Sequence, residues 1–137
     1  MTRDEFIQEY NDTVKRTVEF AARASRAGLL VLENELDQEK IDTRDIFYYG
    51  LRFVIDGTNP AIIVKVLSNL IGQEKDKYTR ILKNIQKEAV FMIQEGLRPW
   101  FIYPVLNSFT DISLKDDVIK EADLANEDTD EMFEAQS

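Results

Sequence analysis

The chain has 137 residues, 44% of them hydrophobic and 31% charged, with a net charge of −9; that is one domain's worth, long enough to bury a sizeable core. It has no cysteine and no histidine, which excludes a disulfide framework, thiolate catalysis, and the commonest general base and zinc ligand. Only 5 glycines and 3 prolines occur, which favours a helical protein over a turn-rich β-sandwich, and no apolar run approaches the roughly 20 residues a membrane-spanning helix needs. The N-terminal Met-Thr-Arg-Asp-Glu carries no signal-peptide pattern, so the chain reads as soluble and cytoplasmic.

Residues 2 to 36 read as one long amphipathic helix or two in tandem. Asp4 and Glu5 suit the positive end of its dipole. Ile7, Tyr10, Val14, Val18, Ala21, Ser25, Gly28 and Leu32 follow at spacings of three and four. Ala21, Ala24 and Gly28 would let another backbone come close on this face. Were the helix continuous, Arg26 and Glu33 would lie within about 20° of each other on the outward side, with Arg23 about 60° away. Asp37 to Arg44 is a polar connector with Asp42 or Thr43 as N-cap, and an aromatic-rich helix over 45–56 follows.

The middle of the chain says one thing twice. Gly57-Thr-Asn-Pro60 is echoed about forty residues later by Gly96-Leu-Arg-Pro99. Val54, Ile63, Val66 and Leu67 are matched by Ile93, Ile102, Val105 and Leu106. Each copy reads as helix, stop, helix: the glycine takes the left-handed position past a helix end and the proline starts the next helix. Between the copies a single long helix from Pro60 to Glu95 is expected, with a weak point or break near Gly72. A last helix from Pro99 carries Trp100, Ile102, Val105, Leu106 and Phe109, kinked or shortened by Pro104, which has no amide hydrogen to donate.

Residues 111–137 hold ten acidic residues against Lys115 and Lys120. They read as a largely disordered acidic tail, with one docking turn carried by Leu114, Val118 and Ile119. The remaining 1–110 are close to neutral with both signs interspersed, which gives no nucleic-acid footprint. Carboxylate pairs one turn apart, Glu9 with Asp12 and Glu33 with Asp37, are the only candidates for acid–base chemistry, and they read as solvated helix faces. No phosphate loop, zinc spacing or nucleophile elbow is present. The expectation is an all-α bundle of two helix-Gly-x-x-Pro-helix hairpins and a long N-terminal helix, without enzymatic activity, metal or cofactor.

Two stretches resemble a known family. Ala24-Ser-Arg-Ala-Gly28-Leu-Leu-Val-Leu-Glu33, followed by Gly50-Leu-Arg-Phe-Val-Ile-Asp56-Gly57-Thr-Asn-Pro60, is similar to the cytoplasmic segment after the second membrane helix of the bacterial flagellar stator A subunit, the MotA/PomA type. Lys87 to Pro99 resembles the family's tail after its fourth membrane helix. The likeness covers about residues 20 to 110. It implies that the third and fourth membrane helices are absent from a seam between about Gly72 and Asn84.

The resemblance also implies a function. In the family, charged residues on this cytoplasmic face are implicated in contacting the rotor switch protein, and Glu33 corresponds to the acidic member. The family's arginine three residues before the glycine is replaced by Ser25, with Arg26 and Arg23 nearby. The implied partners are the rotor switch protein and, through membrane helices missing here, the stator B subunit. The full-length parent would sit at the cytoplasmic face of the inner membrane. A different reading from the residues alone is a free-standing adaptor that binds a protein through Phe47, Tyr48, Tyr49, Trp100, Phe101 and Tyr103.

Overall fold

The computed structural model describes residues 1–38 and 45–112. Among them every regular element is helical: α1 (Arg3–Ala27), a 3-10 turn (Leu29–Leu32), α2 (Glu33–Gln38), α3 (Ile46–Ile55), α4 (Pro60–Gly72), α5 (Lys77–Glu95) and α6 (Pro99–Asn107). The expected N-caps Asp42 and Thr43, the docking turn at Leu114, Val118 and Ile119, and nearly all of the acidic tail lie outside the described residues.

Helix starts are set by local chemistry. Thr2 accepts the Glu5 amide at 3.1 Å and opens α1. Asp45, rather than the expected Asp42 or Thr43, opens α3 by accepting the amide of Tyr48. Asn59 caps α4 by accepting the amide of Ala61, and Asp76 caps α5 by accepting that of Thr79. Caps of this kind contribute about 1 kcal/mol each.

Both long helical stretches are divided, as the tandem reading of residues 2–36 and the break near Gly72 allowed. The first ends at Gly28, whose φ of 86° lies where residues with a Cβ are disfavoured. Gly28 was expected to face the core as a close-packing site. Instead a Cβ placed there would meet nothing within 4 Å, so the glycine serves backbone conformation. The second break is the four-residue link from Gln73 to Asp76 between α4 and α5, where the Asp76 cap restarts the helix.

The repeat is visible in the backbone. Thr58 N–H reaches the Phe53 carbonyl and Gly57 N–H the Val54 carbonyl, while Leu97 reaches Met92 and Gly96 reaches Ile93 in the same way. Both glycines have positive φ, 75° and 69°, the closing pattern of a helix that ends in a left-handed residue. Burial repeats too: Val54 and Ile93, Ile63 and Ile102, and Leu67 and Leu106 are all buried. Pro60 and Pro99 each start the following helix. The copies differ at the residue before the proline, since Asn59 caps α4 with its side chain whereas Arg98 makes no such bond to α6. Pro104 stays inside α6, which ends three residues later, and Phe109 lies beyond the helix and is exposed.

The core is centred on α1 and α5. On α1 the buried residues include Phe6, Tyr10, Asn11, Thr13, Val14, Thr17, Val18, Phe20, Ala21 and Ala22. This arc is wider than the single stripe expected, because α5, α6 and the turn after Gly28 all pack on this helix. The expected stripe omitted Phe6, which stacks on Tyr78 at 5.2 Å, and Phe20, which meets Phe47 at 5.7 Å. Asn11 and Thr17 return their polar atoms to α1 carbonyls. The Tyr10 hydroxyl donates to Asn107 Oδ1 at 2.8 Å and ties α6 to α1. Ile112 is also buried and joins the core.

The α3–α5 crossing depends on Gly50. A Cβ there would lie 2.9 Å and 3.1 Å from the two Val90 methyl carbons and 3.2 Å from Leu67 Cδ1. Val90 is β-branched and stiff, so it yields little. Gly50→Ala is therefore expected to destabilise by about 1–2 kcal/mol through overpacking, despite an intrinsic helix gain of about 1 kcal/mol. Gly72→Ala, in a helix with open space around it, should be neutral or slightly stabilising. Urea midpoints of the two variants check this, and equal midpoints would contradict the close crossing.

Burial pushes the Tyr10 phenol up to about 12 from its usual 10.0. Its neutral form is the one the fold accommodates, so this contribution is complete below pH 10 and is lost as pH rises from about 10 to about 12. Tyr10→Phe should be less stable at neutral pH by about 1 kcal/mol, the scale of one hydrogen bond. Its stability should also fall less steeply than wild type across that alkaline window, which thermal midpoints measured at stepped pH will reveal.

Candidate protein-interaction site

The three charged residues singled out in the sequence fall around the corner where α1 gives way to α2. Leu32 and Leu36, both fully buried, anchor the corner to the core. Gly28 N–H still reaches the Ala24 carbonyl at 2.8 Å, and Val31 N–H turns back to the Gly28 carbonyl at 3.3 Å. The chain then turns instead of extending α1, with the 3-10 turn packed on α1 and α2 meeting α3.

That turn changes what the charges do. Arg23 was expected to be mostly exposed. Its side chain is only 29% exposed and its guanidinium forms an ion pair with Glu35 of α2, while standing 5.7 Å from the centre of the Phe20 ring. Arg23 thus fastens α2 to α1. Arg26 is exposed and its Nε donates to the Ala22 carbonyl at 3.3 Å; its charge also suits the C-terminal end of α1. Glu33 is half-buried at the start of α2. Arg26 and Glu33 therefore do not share one helical stripe; they stand on either side of a corner. Between them Leu30 is 68% exposed, and neither it nor Glu35 was named from sequence. Glu35 could not have been, because its pairing with Arg23 spans 12 residues across a break that a continuous helix does not contain.

Gly57, Pro60, Gly96 and Pro99 sit at helix ends and organise the backbone. The expected aromatic surface is divided: Phe47 is buried, Tyr48, Tyr49 and Tyr103 are half-buried, and Trp100 and Phe101 are exposed and stacked with ring centres 3.6 Å apart. Arg16 stands over both Phe47 and Tyr48, 5.4 and 5.2 Å from the ring centres, which ties those two rings to α1.

A shallow recess beside the α4–α5 link is lined by Leu70, Gln73, Glu74 and Lys83. Lys83 Nζ donates to Glu74 at 2.9 Å, and this bond holds the Glu74 carboxyl below its ordinary value. The two charges match each other and leave no separated acid and base. Of the other carboxylate pairs, Asp12 accepts a hydrogen bond from Gln8 at 3.0 Å. Among the described residues no group of three acidic, histidine or cysteine side chains could hold a metal ion, and no helix is long and apolar enough to cross a membrane.

Comparison of the chain with protein-family models, with curated proteins and with solved structures finds no match. The functional reading therefore rests on the residues and their geometry.

If the Arg23–Glu35 pair holds the corner, Arg23→Ala and Glu35→Ala should each speed hydrogen exchange of the amides from Val31 to Leu36. The global thermal midpoint should hardly move, since partly exposed ion pairs contribute little. Unchanged exchange in both variants would contradict the assignment.

Proposed function

We propose that this chain is the rotor-facing cytoplasmic part of a flagellar stator A-type subunit. It works by transmission and not by catalysis: motion driven by ion flow in membrane helices outside this chain is carried to the Gly28 corner, whose charges engage the rotor switch protein. The stator B subunit would associate through those membrane helices.

The observation that carries this reading is the grouping of helix ends. Phe6, in the first turns of α1, stacks on Tyr78 in the first turn of α5, and the Met1 amino group lies 3.4 Å from Asp76. The start of α1 and the α4–α5 link are thus neighbours. The resemblance puts membrane helices before the first and within the second, so both attachments would fall on one membrane-facing end. The 25 residues of α1, at about 1.5 Å each, put the Gly28 corner about 38 Å further along the helix. A bundle attached at one end and charged at the other suits a part that reaches from a membrane to a rotor.

An adaptor binding through aromatic side chains is supported by the exposed Trp100–Phe101 stack alone, since the rest of that set contributes to packing.

Charge complementarity orients a transient contact without a dry interface. Arg26→Glu and Glu33→Lys should each weaken binding to purified rotor switch protein about tenfold, the scale of one interfacial charge pair. The wild-type interaction should also weaken as salt rises. In a motile cell whose stator carries this segment, both variants should slow swimming. Unimpaired swimming together with unchanged binding would overturn the proposal.

A further inference from the structure

The link between α4 and α5 sorts its charges by sign. Its two carboxylates are used to hold the chain. Glu74 accepts the Asp76 amide at 3.1 Å and Lys83 Nζ at 2.9 Å, and Asp76 accepts the amide and the hydroxyl of Thr79 at 2.9 and 2.7 Å. The Glu74 carbonyl also accepts Arg80 Nε and Nη2, at 2.9 and 2.6 Å. The bonds from Lys83 and Thr79 keep the Glu74 and Asp76 carboxyls below their ordinary values, so both stay charged and engaged. The cations are left outside. Lys75, Lys77 and Arg80 are all exposed. Among the described residues no carboxylate pairs with Lys75 or Lys77, and the carbonyl that Arg80 reaches is neutral, which leaves its charge uncompensated.

The surroundings do not cancel these three charges. Arg3 is matched by Asp111 at 3.7 Å. The exposed Asp4 and Glu5 lie about 160° and 100° around α1 from Phe6, which faces α5, so neither is on the side that meets the link. Beside the link the Met1 amino group stands 3.4 Å from Asp76, and Met1 is 38% exposed. The chain as a whole, at −9, is repelled by an anionic surface, so attraction has to come from an oriented local patch. At 0.1 M salt charges further off than about 10 Å are largely screened, and a patch of this kind then dominates what the link meets. Cations around an exposed apolar side chain match an anionic bilayer interface, where the cations meet headgroups and the apolar group enters the acyl boundary. Three cations fall short of the roughly six to ten phosphate contacts of a protein built for duplex nucleic acid.

We infer that Lys75, Lys77 and Arg80 form a headgroup-binding face that lies on an anionic phospholipid surface. This rests on the stator reading above, which turns this end of the bundle toward a membrane. It goes beyond that reading by giving the α4–α5 link a ligand of its own, and the contact would hold the bundle with the Gly28 corner pointing away from the bilayer.

The test is co-sedimentation of the full chain with vesicles of phosphatidylcholine alone or mixed with phosphatidylglycerol. Wild type is compared with Lys75→Gln, Lys77→Gln, the double variant and Lys15→Gln. Lys15 is exposed on α1, about 18 Å along the helix from Arg3, and controls for loss of net positive charge. All these positions are exposed, and the thermal midpoints should not move. Wild type should bind the phosphatidylglycerol vesicles at low salt, release them at high salt and ignore phosphatidylcholine. Each single lysine variant should lower partitioning about fivefold and the double variant about twenty-fivefold, while Lys15→Gln should match wild type. Failure of wild type to bind, equal binding to both vesicle types, or unchanged partitioning in the double variant would overturn the lipid face. Equal losses in Lys15→Gln and the single variants would overturn it too, as would lysine-dependent binding to a DNA duplex in place of vesicles. The double variant should keep wild-type affinity for purified rotor switch protein. Failure of the vesicle arm alone therefore strikes the lipid face, and failure of wild type to bind the switch protein strikes the stator reading.

Discussion

The packing of α5 against its neighbours is the constraint on which the rest of the structure depends. This helix touches α1, α3, α4 and α6, and it approaches α3 closely only because Gly50 has no Cβ where the Val90 methyl groups sit. Its first turn meets α1 through Tyr78 and Phe6, and its last turn ends at the left-handed Gly96 that redirects the chain into α6. Tyr10 and Asn107 then join α6 back to α1. Apolar burial supplies most of the stabilisation of such an arrangement, but the glycine at the crossing and the glycine at the exit determine which arrangement it is.

The same packing gives the bundle two ends with different chemistry. At one end the start of α1 and the α4–α5 link are held together by an aromatic stack and by the charged groups around Asp76. About 38 Å along α1, by helix geometry, the chain turns at Gly28 and presents Leu30, Arg26 and Glu33. Because α1 is buried along much of its length and packs on α5 and α6, the proposed function treats the bundle as a packed body that carries a displacement from one end to the other. That mechanical property underlies the proposed function, and it requires no pocket or titrating group.

The parts of this fold that were legible in the sequence are those governed by neighbouring residues. Gly57-x-x-Pro60 and Gly96-x-x-Pro99 declare themselves because a left-handed residue and a proline start are both local demands. The corner at Gly28 was hidden, since an apolar run from Gly28 to Leu32 fits a continuing helix as well as a turn, and a glycine after two alanines reads equally as a packing site. The break at residues 73–76 did leave a signal in Asp76, three residues before Thr79, which is N-cap spacing. Contacts between distant residues left none. The Arg23–Glu35 pair, the Gly50–Val90 approach and the Tyr10–Asn107 bond, whose residues are 97 apart, exist only once the helices are assembled. For the candidate site, the charged residues can be picked out in the sequence, while their arrangement around a corner cannot.

The central claim is that the Gly28 corner, and not the linked end of the bundle, meets the rotor. The absence of native cysteine allows a direct measurement. Asn34→Cys at the corner and Gln73→Cys at the α4–α5 link, both exposed positions, can each carry a short photoactivated cross-linker in the presence of purified rotor switch protein. Cross-linking from residue 34 and none from residue 73 is the predicted result. Cross-linking from residue 73 with none from residue 34 would contradict it.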